Sequence, residues 1–128
     1  MDEQEREDFR EYIDAWRVRL ARQQSERRMR ARQLREVAQA CARHLVKELG
    51  ASRVYLFGSL LEEDFVHDRS DIDLAVEGLP GSLYFRALRD ADKLLPEGVE
   101  LDLVLLEGAW PSLAERVRTE GVLLDAAA

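Results

Sequence analysis

The apolar positions of this chain follow two different periods. From Asp2 to Leu49 there is neither glycine nor proline, and apolar residues recur at helical spacing. Phe9, Tyr12, Ile13, Trp16 and Leu20 form one stripe, and Leu34, Val37, Cys41, Leu45 and Leu49 form another. Good helix formers fill the gaps, so the spacing predicts one long helix, or two in tandem, stopped at Gly50. Between the stripes Gln23-Gln-Ser-Glu-Arg-Arg is polar all round, which predicts a kink, a loop or an exposed bridge. The second stripe is expected to pack on the sheet that follows. The first, rich in aromatics with nothing local to cover it, is expected to pair with another copy or dock on a partner.

Beyond Gly50 the period shortens to two. Arg53-Val-Tyr-Leu-Phe reads as a buried strand ended by Gly58. In Asp71-Ile-Asp-Leu-Ala-Val the two aspartates project on one face while Ile72, Leu74 and Val76 fill the other. Val99–Leu105 alternates likewise, with Glu100, Asp102 and Val104 opposite Val99, Leu101, Leu103 and Leu105. Leu83–Leu95 is predicted as a helix capped by Ser82 with Pro96 beyond its end, and Pro111 opens a last helix ending at Gly121. Strand, helix and strand in succession imply a crossover helix covering a sheet. The expected fold is therefore α/β (α+β): a small mixed β-sheet flanked by helices, with a long N-terminal helical extension. The division falls at residue 50, with a helical arm over 1–50 and a domain over 51–128.

Chemistry enters with Gly58-Ser59, Asp71, Asp73 and Asp102. Taken alone, Gly-Ser is an ordinary turn. Placed after a strand and opening a helical turn with Ser59 near the N-cap, it offers outward N–H groups and a hydroxyl to phosphate, and Gly58 admits a triphosphate close to the backbone. A lone Asp-x-Asp is more often a solvated strand end. Two neighbouring carboxylates repel, however, and hard oxygen donors at this spacing suit Mg²⁺ or Mn²⁺. Asp102, in an otherwise apolar strand, needs a partner or solvent. If its strand lies beside Asp71–Val76, it reaches the same site, where it can ligate metal or accept a proton from a hydroxyl. Taken together, these features read as a site for a nucleoside triphosphate and a divalent metal. Arg69 is a weak candidate for phosphate contact, and His67, lacking a second ligand at metal spacing, reads as a surface residue.

The chain resembles the DNA polymerase β-like nucleotidyltransferases, specifically the minimal nucleotidyltransferases: Gly58-Ser59, a loop, Asp71-x-Asp73, and Asp102 on a later strand. The resemblance spans roughly residues 51–124, including the ending Leu113-Ala-Glu-Arg-Val-Arg-Thr-Glu-Gly-Val-Leu-Leu. The loop from Leu60 to Ser70 holds eleven residues, one more than in the familiar form, a cheap insertion in a surface loop. The resemblance implies that Gly58 and Ser59 hold the triphosphate of ATP. It implies further that Asp71 and Asp73 ligate Mg²⁺ or Mn²⁺, and that Asp102 completes the set and helps deprotonate the acceptor. It also implies a partner, a HEPN-type toxin neutralised by AMP transfer to a tyrosine, which makes the chain an antitoxin. Two alternatives stay open: an antitoxin that neutralises by binding alone, and an enzyme acting on a small molecule such as an aminoglycoside.

Length and charge sharpen the picture. At 128 residues the chain has little room for a separate acceptor-binding domain, so the acceptor surface is expected to come largely from the partner. Residues 1–50 carry 12 Lys/Arg against 10 Asp/Glu, whereas residues 51–128 carry 7 against 16. So acidic a part speaks against nucleic-acid binding, and it makes a metal necessary before ATP, itself an anion, is welcome. The arginines from Arg22 to Arg35 are read as a solvated face, interrupted by Glu26. The lone Cys41 lies in an apolar stripe and reads as a small buried residue. No secretory leader or bilayer-length apolar run is read, so a cytoplasmic protein without membrane contact is expected.

Overall fold

The computed structural model describes residues 1–62, 66 and 71–128. Arg69 and His67 lie outside the described residues. One helix, α1 (Glu3–Lys47), runs without interruption through both apolar stripes. The polar stretch at Gln23–Arg28 is therefore no loop but an exposed helical bridge. Its Gln, Glu and Arg residues are good helix formers with no Gly or Pro among them, so backbone propensity carries the helix where packing lapses. Asp2 caps the start, its carboxylate accepting from the Glu5 N–H at 2.8 Å. At the other end Gly50 takes φ 80°, and the Ala51 N–H returns to the Leu45 carbonyl at 3.0 Å.

Among the described residues four strands form one sheet: β1 (Arg53–Phe57), β2 (Ile72–Glu77), β3 (Leu101–Leu105) and β4 (Val122–Ala126), in the order β3-β2-β1-β4. β1 runs antiparallel to β2 and to β4, while β2 and β3 are parallel. A parallel pair needs a crossover, supplied by α2 (Tyr84–Asp92). The α2 start differs from expectation. Pro80 begins a 3-10 turn over Gly81–Leu83, so Ser82 sits inside that turn, and Leu83 takes the cap position without a side-chain hydrogen bond. α3 (Pro111–Glu120) ends at Gly121 as predicted and delivers the chain into β4, an edge strand that the alternation reading left out.

The two faces of the sheet are covered unequally. Leu34, Ala38, Cys41 and Leu45 of α1 pack with Val54, Leu56, Ile72, Leu74 and Val76 and with Ala87 and Ala91 of α2 to form the main core. Cys41 is 1% exposed, and burial pushes its thiol up to about 11, which fits a packing residue and not a nucleophile. The opposite face carries a smaller cluster of Ala75, Leu106, Ala114 and Val117, flanked by Tyr55, Phe57 and Val104. Side-chain bonds lock α1 onto the sheet: Gln39 Nε2 donates to the Leu124 carbonyl at 2.8 Å, and Arg35 Nε donates to the Leu60 carbonyl at 2.9 Å. Among the described residues no helix is long and apolar enough to cross a membrane.

Candidate nucleotide and metal site

The site lies at one end of β2 and β3, on the face covered by the smaller cluster. Parallel pairing sets Ile72 against Leu101 and Asp73 against Asp102. The even positions of β2, Ile72, Leu74 and Val76, enter the main core, so the pleat turns Asp71, Asp73 and Ala75 to the other face. Ala75 is sealed by the smaller cluster beside α3, whereas Asp73 is only partly buried and Asp71 and Asp102 are exposed. Asp71 is held by the start of the neighbouring strand: the Glu100 N–H donates to its Oδ1 at 3.4 Å, and the Ile72 N–H donates to the Glu100 carbonyl at 3.0 Å.

Electrostatics pick out Asp73. Its carboxyl is pushed above the ordinary value first by burial, then by the charge of Asp102 and then by that of Asp71. The ion pairs among the described residues involve none of the three. An oxygen-only donor set with shared negative charge, ion-paired to no cation among the described residues, fits a hard divalent cation by its chemistry. The side chains do not enclose one in advance: among the described residues no group of three or more His, Cys, Asp or Glu side chains forms a metal cage. Any bound ion would thus take its remaining ligands from substrate and water, the usual habit of Mg²⁺.

Gly58 and Ser59 follow β1 directly, in a 3-10 turn over Gly58–Leu61. β1 is antiparallel to β2 with Phe57 opposite Asp73, which brings this turn alongside the carboxylates. Gly58 has φ 79°, and a Cβ there would overlap the Asp73 carboxylate. Its glycine requirement therefore comes from Asp73 as well as from any approaching phosphate. Ser59 lies near the N-cap, as the sequence suggested: Phe57 holds the cap position, Gly58 begins the turn, and the Ser59 carbonyl accepts from the Glu62 N–H at 3.2 Å.

Beside this turn opens a cavity of about 520 Å³, lined by Phe57, Gly58 and Ser59 on one side and by Leu113, Arg116 and Glu120 of α3 on the other. Its volume falls in the range of small-molecule sites. The sequence reading passed over Arg116. Its signal was present, since Arg116 and Glu120 stand one turn apart on the helix that must cross the sheet, and Arg116 Nε meets Glu120 Oε2 at 3.1 Å.

Comparisons with known proteins bear on the family and the fold. The family model for nucleotidyltransferase domains matches residues 34–124. No curated protein matches the chain. Among solved structures, one assigned as a minimal nucleotidyltransferase is 30% identical with TM-score 0.58, covering 72% of this chain and 93% of its own. A toxin–antitoxin crystal structure with AMP-PNP is 26% identical with TM-score 0.56, covering 70% of this chain and 73% of that one. The MntA–HepT toxin–antitoxin structure, 24% identical with TM-score 0.52 over 72% of this chain and 73% of that one, shares the fold. A single domain model spanning most of the chain, together with a relative covered almost end to end, makes this protein a member of the nucleotidyltransferase domain family and of its small branch, the minimal nucleotidyltransferases.

Proposed function

We propose that this chain transfers AMP from ATP to a tyrosine hydroxyl of a HEPN-type toxin, using Mg²⁺ or Mn²⁺, and so serves as the antitoxin of a toxin–antitoxin pair. The observation that carries this reading is the placement of Asp73 opposite Asp102 on parallel strands, with Gly58 packed against Asp73. The similarity to a toxin–antitoxin structure with AMP-PNP supports both the nucleotide and the kind of partner. The HEPN class of that partner and tyrosine as acceptor rest on the resemblance carried by the Gly-Ser and Asp-x-Asp pattern.

In this reading Gly58 and Ser59 hold the triphosphate, and the cavity walled by Leu113 and Arg116 receives the rest of the nucleotide. Asp71 and Asp73 hold the metal, with Asp102 completing the set. The bound ion supplies positive charge that offsets the three carboxylates and the charge developing on the α-phosphate and the departing pyrophosphate. The acceptor oxygen attacks the α-phosphorus and its bond to the bridging oxygen of the β-phosphate breaks. Pyrophosphate leaves, and the hydroxyl proton passes to the exposed Asp102 carboxylate. Residues 51–128 carry this chemistry, and residues 1–50 form an arm whose C-terminal half completes the core.

The test follows the label. With ATP labelled at the α-phosphate, the toxin should become labelled only when divalent metal is present, and label placed at the γ-phosphate should leave with pyrophosphate. A toxin neutralised without any α-label would reduce the chain to a binding antitoxin.

A further inference from the structure

Residues 1–26 stand clear of the domain. From Met1 to Glu26 every residue is exposed except Ile13, and the first buried side chain of the helix is Ala31. Phe9, Tyr12 and Trp16 remain 55%, 64% and 45% exposed on a helix that is otherwise strongly polar. Because α1 is unbroken, the phase of its residues can be followed along its length. Phe9, Ile13, Trp16 and Leu20 repeat at intervals of four, three and four. The same seven-residue lattice continues through Gln23, Arg27 and Arg30 to Leu34, Val37 and Cys41 of the core-facing stripe.

Charge along this free segment is segregated. Residues 2–14 hold seven carboxylates against two arginines, and residues 15–27 hold four arginines against one glutamate. We propose that the free half of α1 is the interface of a homodimer in which two copies pair antiparallel about a point between Asp14 and Ala15. In that register each layer of the seam joins one lattice position to its opposite number. Ile13 meets Trp16 of the second copy, Phe9 meets Leu20, Arg6 meets Gln23, and Asp2 meets Arg27. The acidic third of each helix then lies on the basic third of the other. A parallel pair would instead set Asp2 on Asp2 and Arg27 on Arg27.

The length of the free segment agrees with this register. The overlap covers about 26 residues, about 40 Å of helix at 1.5 Å per residue. It ends where the partner's first residue would meet the first buried turn of α1, so neither domain obstructs the other. Covering the open half of six rings removes on the order of 600 Å² of aromatic surface. Ile13 and Leu20 bring the total toward the roughly 1,000 Å² at which specific interfaces begin.

Sedimentation equilibrium of the full chain tests the proposal. The wild type should give twice the 14.7 kDa chain mass. Trp16→Glu, at an exposed position whose ring meets Arg19 of the same helix at 5.6 Å, should give a monomer with unchanged helical content. Arg27→Glu should weaken the dimer at least tenfold by setting a glutamate against Asp2 of the second copy. A wild-type monomer at 100 μM concentration, a dimer that persists in Trp16→Glu, or a dimer strengthened by Arg27→Glu would each overturn it. So would assembly that appears only when a different protein is added.

Discussion

The Asp73 carboxylate fills the space that a β-carbon on Gly58 would need. Backbone and carboxylate thus specify each other: the glycine is needed at φ 79°, and the turn carrying Ser59 is seated by contact with a residue of the carboxylate cluster. Gly58→Ala should destabilise the fold by about 1–3 kcal/mol through its positive φ and the overlap. It should also displace Asp73 and abolish transfer. Thermal unfolding and transfer assays on the same preparation check both; unchanged transfer in the variant would separate the turn from the site.

Asp73→Asn should have opposite effects on activity and on fold. Burial and the neighbouring charges of Asp102 and Asp71 make the ionised form of Asp73 unfavourable. Because the folded state holds this proton more tightly than the unfolded state, metal-free stability falls as pH rises through the raised value. Removing the charge should therefore leave the metal-free protein as stable as wild type, or more so, at neutral pH while transfer is lost. Unfolding temperatures with and without Mg²⁺ check this, and the Mg²⁺-dependent rise should vanish in the variant.

Arg116→Ala probes the cavity. Arg116 projects from α3 beside Ser59 and is 75% exposed, so its loss should leave stability unchanged. If it meets the nucleotide, losing one charge-assisted hydrogen bond, about 1.4 kcal/mol, should raise the KM for ATP about tenfold with little change in kcat. Steady-state kinetics distinguish this from a fall in kcat alone.

Away from the site, Glu77 anchors the far end of β2. Arg118 Nε meets its Oε1 at 2.7 Å and Arg53 Nη1 its Oε2 at 3.3 Å, and the Arg118 hydrogen bond leads in holding its carboxyl below the ordinary 4.5. With the folded value below the unfolded one, the contribution is full above about pH 4.5 and is lost as pH falls through the lowered value. Glu77→Gln should cost about 1 kcal/mol at pH 7 and nothing measurable in strong acid. Urea unfolding at the two pH values checks the difference.

Much of this architecture is legible in the residues, and the exceptions have physical reasons. The Asp71-x-Asp73 alternation and the apolar run around Asp102 yield β2, β3 and the face they share, because a one-residue slip would bury a carboxylate. Of the readings offered for Gln23–Arg28, the exposed bridge holds and the loop does not, because apolar periodicity reports what a helix packs against and not whether it continues. β4 escapes because Val122-Leu-Leu-Asp-Ala does not alternate; its pairing with β1 carries a register shift between Val54 and Tyr55 and leaves Val122 and Leu123 half exposed. The Ser82 cap assignment fails because Pro80 starts a 3-10 turn early and leaves the serine inside it. Arg116 is missed because its pair with Glu120 one turn on reads as an ordinary exposed helix pair until α3 is set beside the Gly58 turn.

The central claim is that the three aspartates transfer a nucleotide to a partner protein. Its most direct test is the intact mass of the toxin after incubation with this chain, ATP and Mg²⁺. The account predicts mass added in AMP-sized steps by wild type and none by Asp73→Asn. Neutralisation of the toxin with its mass unchanged, or equal addition by Asp73→Asn, would contradict it.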